Sequence, residues 1–172
     1  MPESEYVRYV PEYASGGNFY GTWELVQLLE RAARRVAFRF PGSRLPLGEL
    51  SRREGGDIGG HLSHESGRDV DLGFYMTGAG GRPYEGIAFA NFDANGRGMP
   101  PNEGLRFDDA RNWELVSKLV SDADARVQYI FVAKTIKQRL LREAQRRGAP
   151  ISVIERASAV MVEPKHGHPH RN

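Results

Sequence analysis

The sequence predicts an α+β fold, with a small antiparallel sheet and flanking helices, and three observations carry that prediction. Apolar residues recur at three- and four-residue steps in three separate stretches, the spacing of amphipathic helices. Between them lie short runs that alternate or are rich in β-branched and aromatic residues. Twenty glycines and 10 prolines break the rest into turns. A length of 172 residues suffices for a buried core, and no repeat or linker divides it, so residues 1–172 are expected to form a single domain.

The first helix is expected after Thr22, which can cap WELVQLLERAARRVAFRF. Leu25, Leu29, Ala32, Ala33 and Val36 fall on one face, and Pro41-Gly42 ends it. The stretch LPLGELSRREGGDIGG has short apolar pieces broken by glycines, so strand and loop are expected. Residues 69–74 alternate, with Val70, Leu72 and Phe74 on one side and Asp69 and Asp71 on the other, the pattern of a half-buried strand. Residues 77–106 form a turn-rich excursion around one short strand at 86–92. Within it, Asp93-Ala94-Asn95-Gly96 faintly resembles a calcium loop, but the twelfth position from Asp93 is Gly104, not Glu, which excludes it.

Asp108 or Asp109 then caps a second helix, ARNWELVSKLVSD, with Trp113, Val116 and Val120 inward. VQYIFV at 127–132 is a strand candidate. Residues 133–147 are a third helix, with Ile136, Leu140, Leu141 and Ala144 on one face and Gly148 and Pro150 closing it. ISVIERASAVMVE at 151–163 fits either a short helix or a strand.

Composition narrows the function classes. Lys+Arg 24 against Asp+Glu 22 leaves a formal charge of only +2, and no basic run is interleaved with aromatics, which argues against nucleic-acid binding. Arg34-Arg35 and Arg146-Arg147 fit solvated helix faces. With no cysteine, disulfides, thiolate zinc ribbons and thiol nucleophiles are all excluded. The chain as written shows neither an apolar leader near its first residues nor ~18 consecutive apolar residues.

The chemistry concentrates in GHLSHESGRDVDLGFY at 60–75. His64 lies in a loop and Asp71 on the following stretch, seven residues on, with Gly67 able to supply a tight turn between them. Imidazole nitrogen and carboxylate oxygen are zinc donors, so the two make a half-site, with His61 near enough to be a further ligand. Two carboxylates on one strand face also repel unless a cation lies between them. A solvated loop in which Asp69 or Asp71 pairs Arg68 fits the same residues.

SHESGRDVDLGF resembles the first zinc motif of the peptidase group that joins lysostaphin-type enzymes, D-alanyl-D-alanine metallopeptidases and hedgehog domains: His, two residues, Gly, three residues, Asp. In its GGHxSHxxGxDVD form it is similar to the penicillin-insensitive murein endopeptidases. NFYGTWELVQLLERAARRV resembles the N-terminal helix of that family, and NWELVSKLVSDADARVQYIFVAKTIKQRLL its later helix–strand–helix, so the likeness covers most of residues 17–144.

The resemblance implies a hedgehog/D-Ala-D-Ala-peptidase-like fold and a single Zn2+ held by His61, His64 and Asp71. It implies hydrolysis of D-alanyl–meso-diaminopimelate cross-links in peptidoglycan by metal-activated water, insensitivity to β-lactams, and a periplasmic or extracellular home. The remaining ligand of the family is the second histidine of a late His-x-His motif, preceded by another histidine. Here the chain offers HGHPHRN. Aligning His170, the catalytic candidate, with that preceding histidine places the motif beyond Asn172, so the closing strand and last ligand are expected to be missing. The other alignment makes His168 and His170 the motif itself, although Pro169 is a poor strand residue. Without the closing strand the tail is expected to fray, with His166, His168 or His170 reaching the metal as a weaker substitute site. A catalytically impaired peptidoglycan-binding protein and a related D-Ala carboxypeptidase or dipeptidase are the alternatives.

Overall fold

A computed structural model describes residues 1–58, 64–84 and 88–164. The chain runs β1 (Val7–Tyr9), α1 (Pro11–Ala14), α2 (Trp23–Arg39), β2 (Leu45–Leu47), β3 (Met76–Thr77), β4 (Pro83–Tyr84), β5 (Arg106–Phe107), α3 (Asp109–Val120), β6 (Ile130–Phe131), α4 (Lys134–Arg146), α5 (Ile151–Val160) and β7 (Met161–Val162). Helices and short strands mix as the sequence predicts, with a small antiparallel sheet of order β4-β3-β5.

Two parallel pairs flank that sheet. Parallel strands need a long crossover, and here helices supply it. β1 pairs with β2, Val7 opposite Leu45, and α2 fills most of the connection. β6 pairs with β7, Ile130 opposite Met161, across α4 and α5.

Helix α2 starts where the Thr22 hydroxyl accepts the Leu25 N–H at 3.4 Å. It buries Leu28, Leu29, Ala32, Ala33 and Val36 against β1 and β2, while Leu25 is half-buried. α3 is capped by the Asp108 carboxylate, which accepts the Arg111 N–H at 2.9 Å. Leu115 and Leu119 of α3 belong to the α2 cluster, and Trp113 and Val116 to a second cluster with Phe107, Ile136, Leu140 and Met161. α3 therefore stands between two cores. Arg34, Arg35 and Arg146 are exposed as expected while Arg147 is half-buried; Arg35 is answered by Glu114 at 2.8 Å, and Arg146 and Arg147 both by Glu143 at 2.6 Å.

Several strand expectations are corrected. Residues 69–74 hold no strand, only a bridge from Leu72 to Leu47, and regular pairing begins at Met76. Val70, Leu72 and Tyr75 pack on the α2 cluster while Phe74 and Met76 join the other, and between them Gly73 lets the backbone pass within contact of Pro46 and Phe89. The strand read at 127–132 shrinks to two residues. The ambiguous 151–163 is both, a helix to Val160 and a strand from Met161. In the expected strand at 86–92, residues 88–92 make only the Phe92–Gly98 bridge; 85–87 lie outside the described residues.

Candidate active site

Residues 46–50 and 71–73 run side by side without forming a named strand pair. The Gly48 N–H donates to Asp71 O at 2.8 Å, the Asp71 N–H to Glu49 O at 2.9 Å, and the Gly73 N–H to Pro46 O at 2.9 Å. This ladder fixes the Asp71 backbone. Gly48 permits it, since a Cβ there would meet Phe89 Cζ at 2.7 Å and Asp71 Cβ at 3.0 Å.

The loop that carries His64 is docked separately. Gly67 adopts φ +69°, a conformation open to glycine, and its carbonyl accepts the Thr22 N–H at 2.8 Å. A Cβ at Gly67 would approach Gly21 Cα to 3.2 Å, so the turn lies flat on the start of α2. Gly67 thus supplies the turn expected between the two site residues. Beside it, Trp23 is 73 % exposed.

His64 is the product of these two arrangements. It is only 2 % exposed, and its Nδ1 lies 2.7 Å from the Leu50 carbonyl. A carbonyl only accepts, so Nδ1 carries the proton and donates it. Leu50 is held in turn by its own N–H donating to Asn18 O at 2.8 Å. The other ring nitrogen, Nε2, stands 3.5 Å from Asp71 Oδ1.

The electrostatics follow. Burial opposes the charged imidazolium, but the Asp71 carboxylate, the Leu50 carbonyl and the more distant Asp69 outweigh it and raise the His64 pKa above its ordinary value. Burial raises the Asp69 carboxyl as well, opposed by His64 and reinforced by the Asp71 charge. Arg68 is exposed, and no ion pair joins it to Asp69 among the described residues.

A metal can be tested against this geometry. Two donors on a tetrahedral zinc, each at about 2.0–2.2 Å, stand about 3.4 Å apart. The Nε2–Oδ1 separation of 3.5 Å is close to that edge. A histidine that donates Nδ1–H to a carbonyl presents an unprotonated, oriented Nε2, the usual outer support of a metal ligand. His64 and Asp71 therefore fit a zinc ion. Among the described residues no group of three or more such donors converges. His61, His166, His168 and His170 lie outside the described residues.

The sequence profile of the family described as penicillin-insensitive murein endopeptidase matches residues 9–168. The chain belongs to the penicillin-insensitive murein endopeptidase family. Membership makes it a hydrolase with peptidoglycan as substrate, acting on the cell wall. Among curated proteins, none matches the chain. Among the described residues no helix is long and apolar enough to cross a membrane.

Sequence reading missed the Leu50 carbonyl, which orients His64, and the Gly48–Asp71 ladder. A backbone carbonyl has no signature, because every residue carries one. Gly48 left a faint trace, a glycine inside the largely apolar LPLGEL run, the mark of a close backbone approach.

Proposed function

We propose that the protein is a zinc-dependent murein endopeptidase that hydrolyses D-alanyl–meso-diaminopimelate cross-links of peptidoglycan, working in the periplasm or outside the cell. The observation that carries the reading is the paired geometry of His64 and Asp71: one oriented nitrogen of a buried imidazole and one carboxylate oxygen 3.5 Å apart. Family membership supports the substrate class.

In this reading His64 Nε2 and Asp71 Oδ1 would hold the ion, with His61, or a histidine of the 166–170 tail in its place, as the third protein ligand a catalytic zinc needs. A zinc bound there would lower the pKa of a water towards ~7 and polarise the peptide carbonyl. His64 keeps its Nδ1 proton on Leu50 O and so stays a ligand rather than a proton carrier. His170 is the candidate to take the proton from the attacking water and deliver it to the leaving amine. Arg68, exposed beside Asp69, can meet a carboxylate of the stem peptide. No serine or cysteine nucleophile takes part, so β-lactams have nothing to acylate.

Elemental analysis of the purified chain tests the metal, with His64→Ala and Asp71→Ala as controls. About one zinc per chain, lost in both controls, is expected. A folded chain that takes up no zinc overturns the reading in favour of a protein that binds peptidoglycan without cutting it. Digestion of defined cross-linked muropeptides then tests the bond: separated stem peptides are expected, whereas release of free D-alanine alone would make it a carboxypeptidase.

A further inference from the structure

A single peptide plane joins the two proposed ligands. The bond between Glu49 and Leu50 is trans and planar, so its C=O and N–H point in opposite directions. The C=O accepts the Asp71 N–H at 2.9 Å, and the N–H donates to Asn18 O at 2.8 Å. The next carbonyl along the chain, Leu50 O, is the one 2.7 Å from His64 Nδ1. The plane therefore holds the Asp71 backbone directly and aims the His64 ring through its neighbour. Turning it would displace both donors of the site together.

Asn18 opposes that turn. Besides the backbone bond from Leu50, its side-chain Nδ2 donates to Glu49 Oε1 at 2.7 Å. One residue thus grips both neighbours of the plane, Leu50 through the main chain and Glu49 through its carboxylate. Asn18 is buried and Glu49 half-buried, and a hydrogen bond to a carboxylate is stronger there than in open water. Gly16 leaves the room for it, since a Cβ there would stand 3.3 Å from Glu49 Oε1 and 3.4 Å from Asn18 Nδ2. The anchor is itself fixed. Two residues on, the Tyr20 N–H donates to Ser51 O at 3.1 Å, and then the Thr22 N–H reaches Gly67 O. Residues 18–22 consequently brace the Leu50 arm and the His64 loop at once.

We propose that Asn18 is a positioning residue: its bond to Glu49 fixes the 49–50 peptide, and with it the separation of His64 Nε2 from Asp71 Oδ1. The metal arm of this inference rests on the zinc reading above, and the orientation of the ring does not. The role asks for an acceptor oxygen at position 49, not for a charge.

The test starts on the full chain without metal, by nitrogen NMR of the His64 ring at a pH where it is neutral. The parent should show one tautomer, protonated on Nδ1. Asn18→Ala, which keeps the backbone acceptor for Leu50, should mix the tautomers, and so should Glu49→Ala. Glu49→Gln keeps an acceptor oxygen and should restore the parent signal. With zinc, chelator competition should show affinity about tenfold lower or more in both alanine variants, the loss typical of an outer partner of a metal ligand, and unchanged in Glu49→Gln. The double alanine variant should lose no more than either single one, because both act through one bond. The expected tautomers in a chain that takes up no zinc would uphold the positioning of His64 and sink the zinc reading alone. Alanine variants that lose Tm but keep the parent tautomer and zinc affinity overturn the proposal. So does a Glu49→Gln variant as impaired as Glu49→Ala, since the carboxylate would then act by its charge.

Discussion

The helical region and the site region are ordered by different means. In α3, α4 and α5 most backbone groups find their partners four residues away, and an apolar face of each helix docks on a shared core around Leu140 and Met161, with α3 also meeting the α2 cluster through Leu115 and Leu119. Among the described residues between 43 and 77 only two short strands are regular, and order comes from bonds between distant positions: Gly48 to Asp71, Gly73 to Pro46, His64 to Leu50, Thr22 to Gly67. Local bonds make the first region tolerant, because each helix loses little when one residue changes. The second has no such redundancy, and it holds the two proposed ligands. One side chain ties the regions together. Asn112 of α3 accepts the Tyr75 N–H at 2.9 Å and donates to the Tyr75 carbonyl at 2.8 Å.

Substitutions can break that contrast. Leu140→Ala should cost about 2–5 kcal/mol in chemical denaturation, yet zinc uptake by the folded fraction should persist. If zinc were lost at once, the two regions would not be separable. Asn112→Ala should cost about 1–3 kcal/mol, since it leaves the Tyr75 N–H buried and unpaired, while the Tyr75 carbonyl keeps the Asp108 N–H at 3.1 Å. Here zinc affinity should fall as well, measured by competition with a chelator. Gly48→Ala should cost about 1–3 kcal/mol by overpacking Phe89 and Asp71, and its effect on muropeptide cleavage should exceed its effect on the Tm.

Acid sharpens the contrast without mutation. Asp122 accepts a two-pronged hydrogen bond from Arg31 at 2.7 and 2.9 Å and a contact from Lys118 at 3.2 Å. The Arg31 hydrogen bonds hold its carboxyl well below the usual range, with burial opposing and Lys118 assisting. A lowered folded-state pKa stabilises the fold above the unfolded value of about 3.9, and that contribution is lost as the pH falls towards the folded-state value. Between about pH 5 and pH 3 the Tm should drop, and Asp122→Asn should flatten the drop. The smallest effect belongs to Arg35→Ala, an exposed pair with Glu114, expected within about 0.5 kcal/mol.

The same division decides what could be read from the sequence. Because cap and stripe are local signals, α2 was legible from the Thr22 cap to the buried face of Leu29, Ala32, Ala33 and Val36, with Leu28 missed and Leu25 only half-buried. The third helix was equally clear, with Ile136, Leu140 and Ala144 buried as expected. Residues 69–74 misled, since alternation there reflects packing on two different cores rather than a paired strand. The proximity of His64 and Asp71 was legible from their spacing around Gly67. What aligns the ring, a carbonyl fourteen residues earlier, depends on a contact that no local pattern encodes.

Of the molecule's two tryptophans, one lies in the helical region and the other, at the start of α2, lies against the site region. Trp113 is 3 % exposed in the helical core, while Trp23 is 73 % exposed beside the Gly21–Gly67 contact that seats the His64 loop. Their emission should differ in colour, blue-shifted for the buried indole and red-shifted for the solvated one. Trp23→Phe and Trp113→Phe would each leave a single optical probe, so loosening of the loop and melting of the helices can be followed as separate spectroscopic signals in one protein.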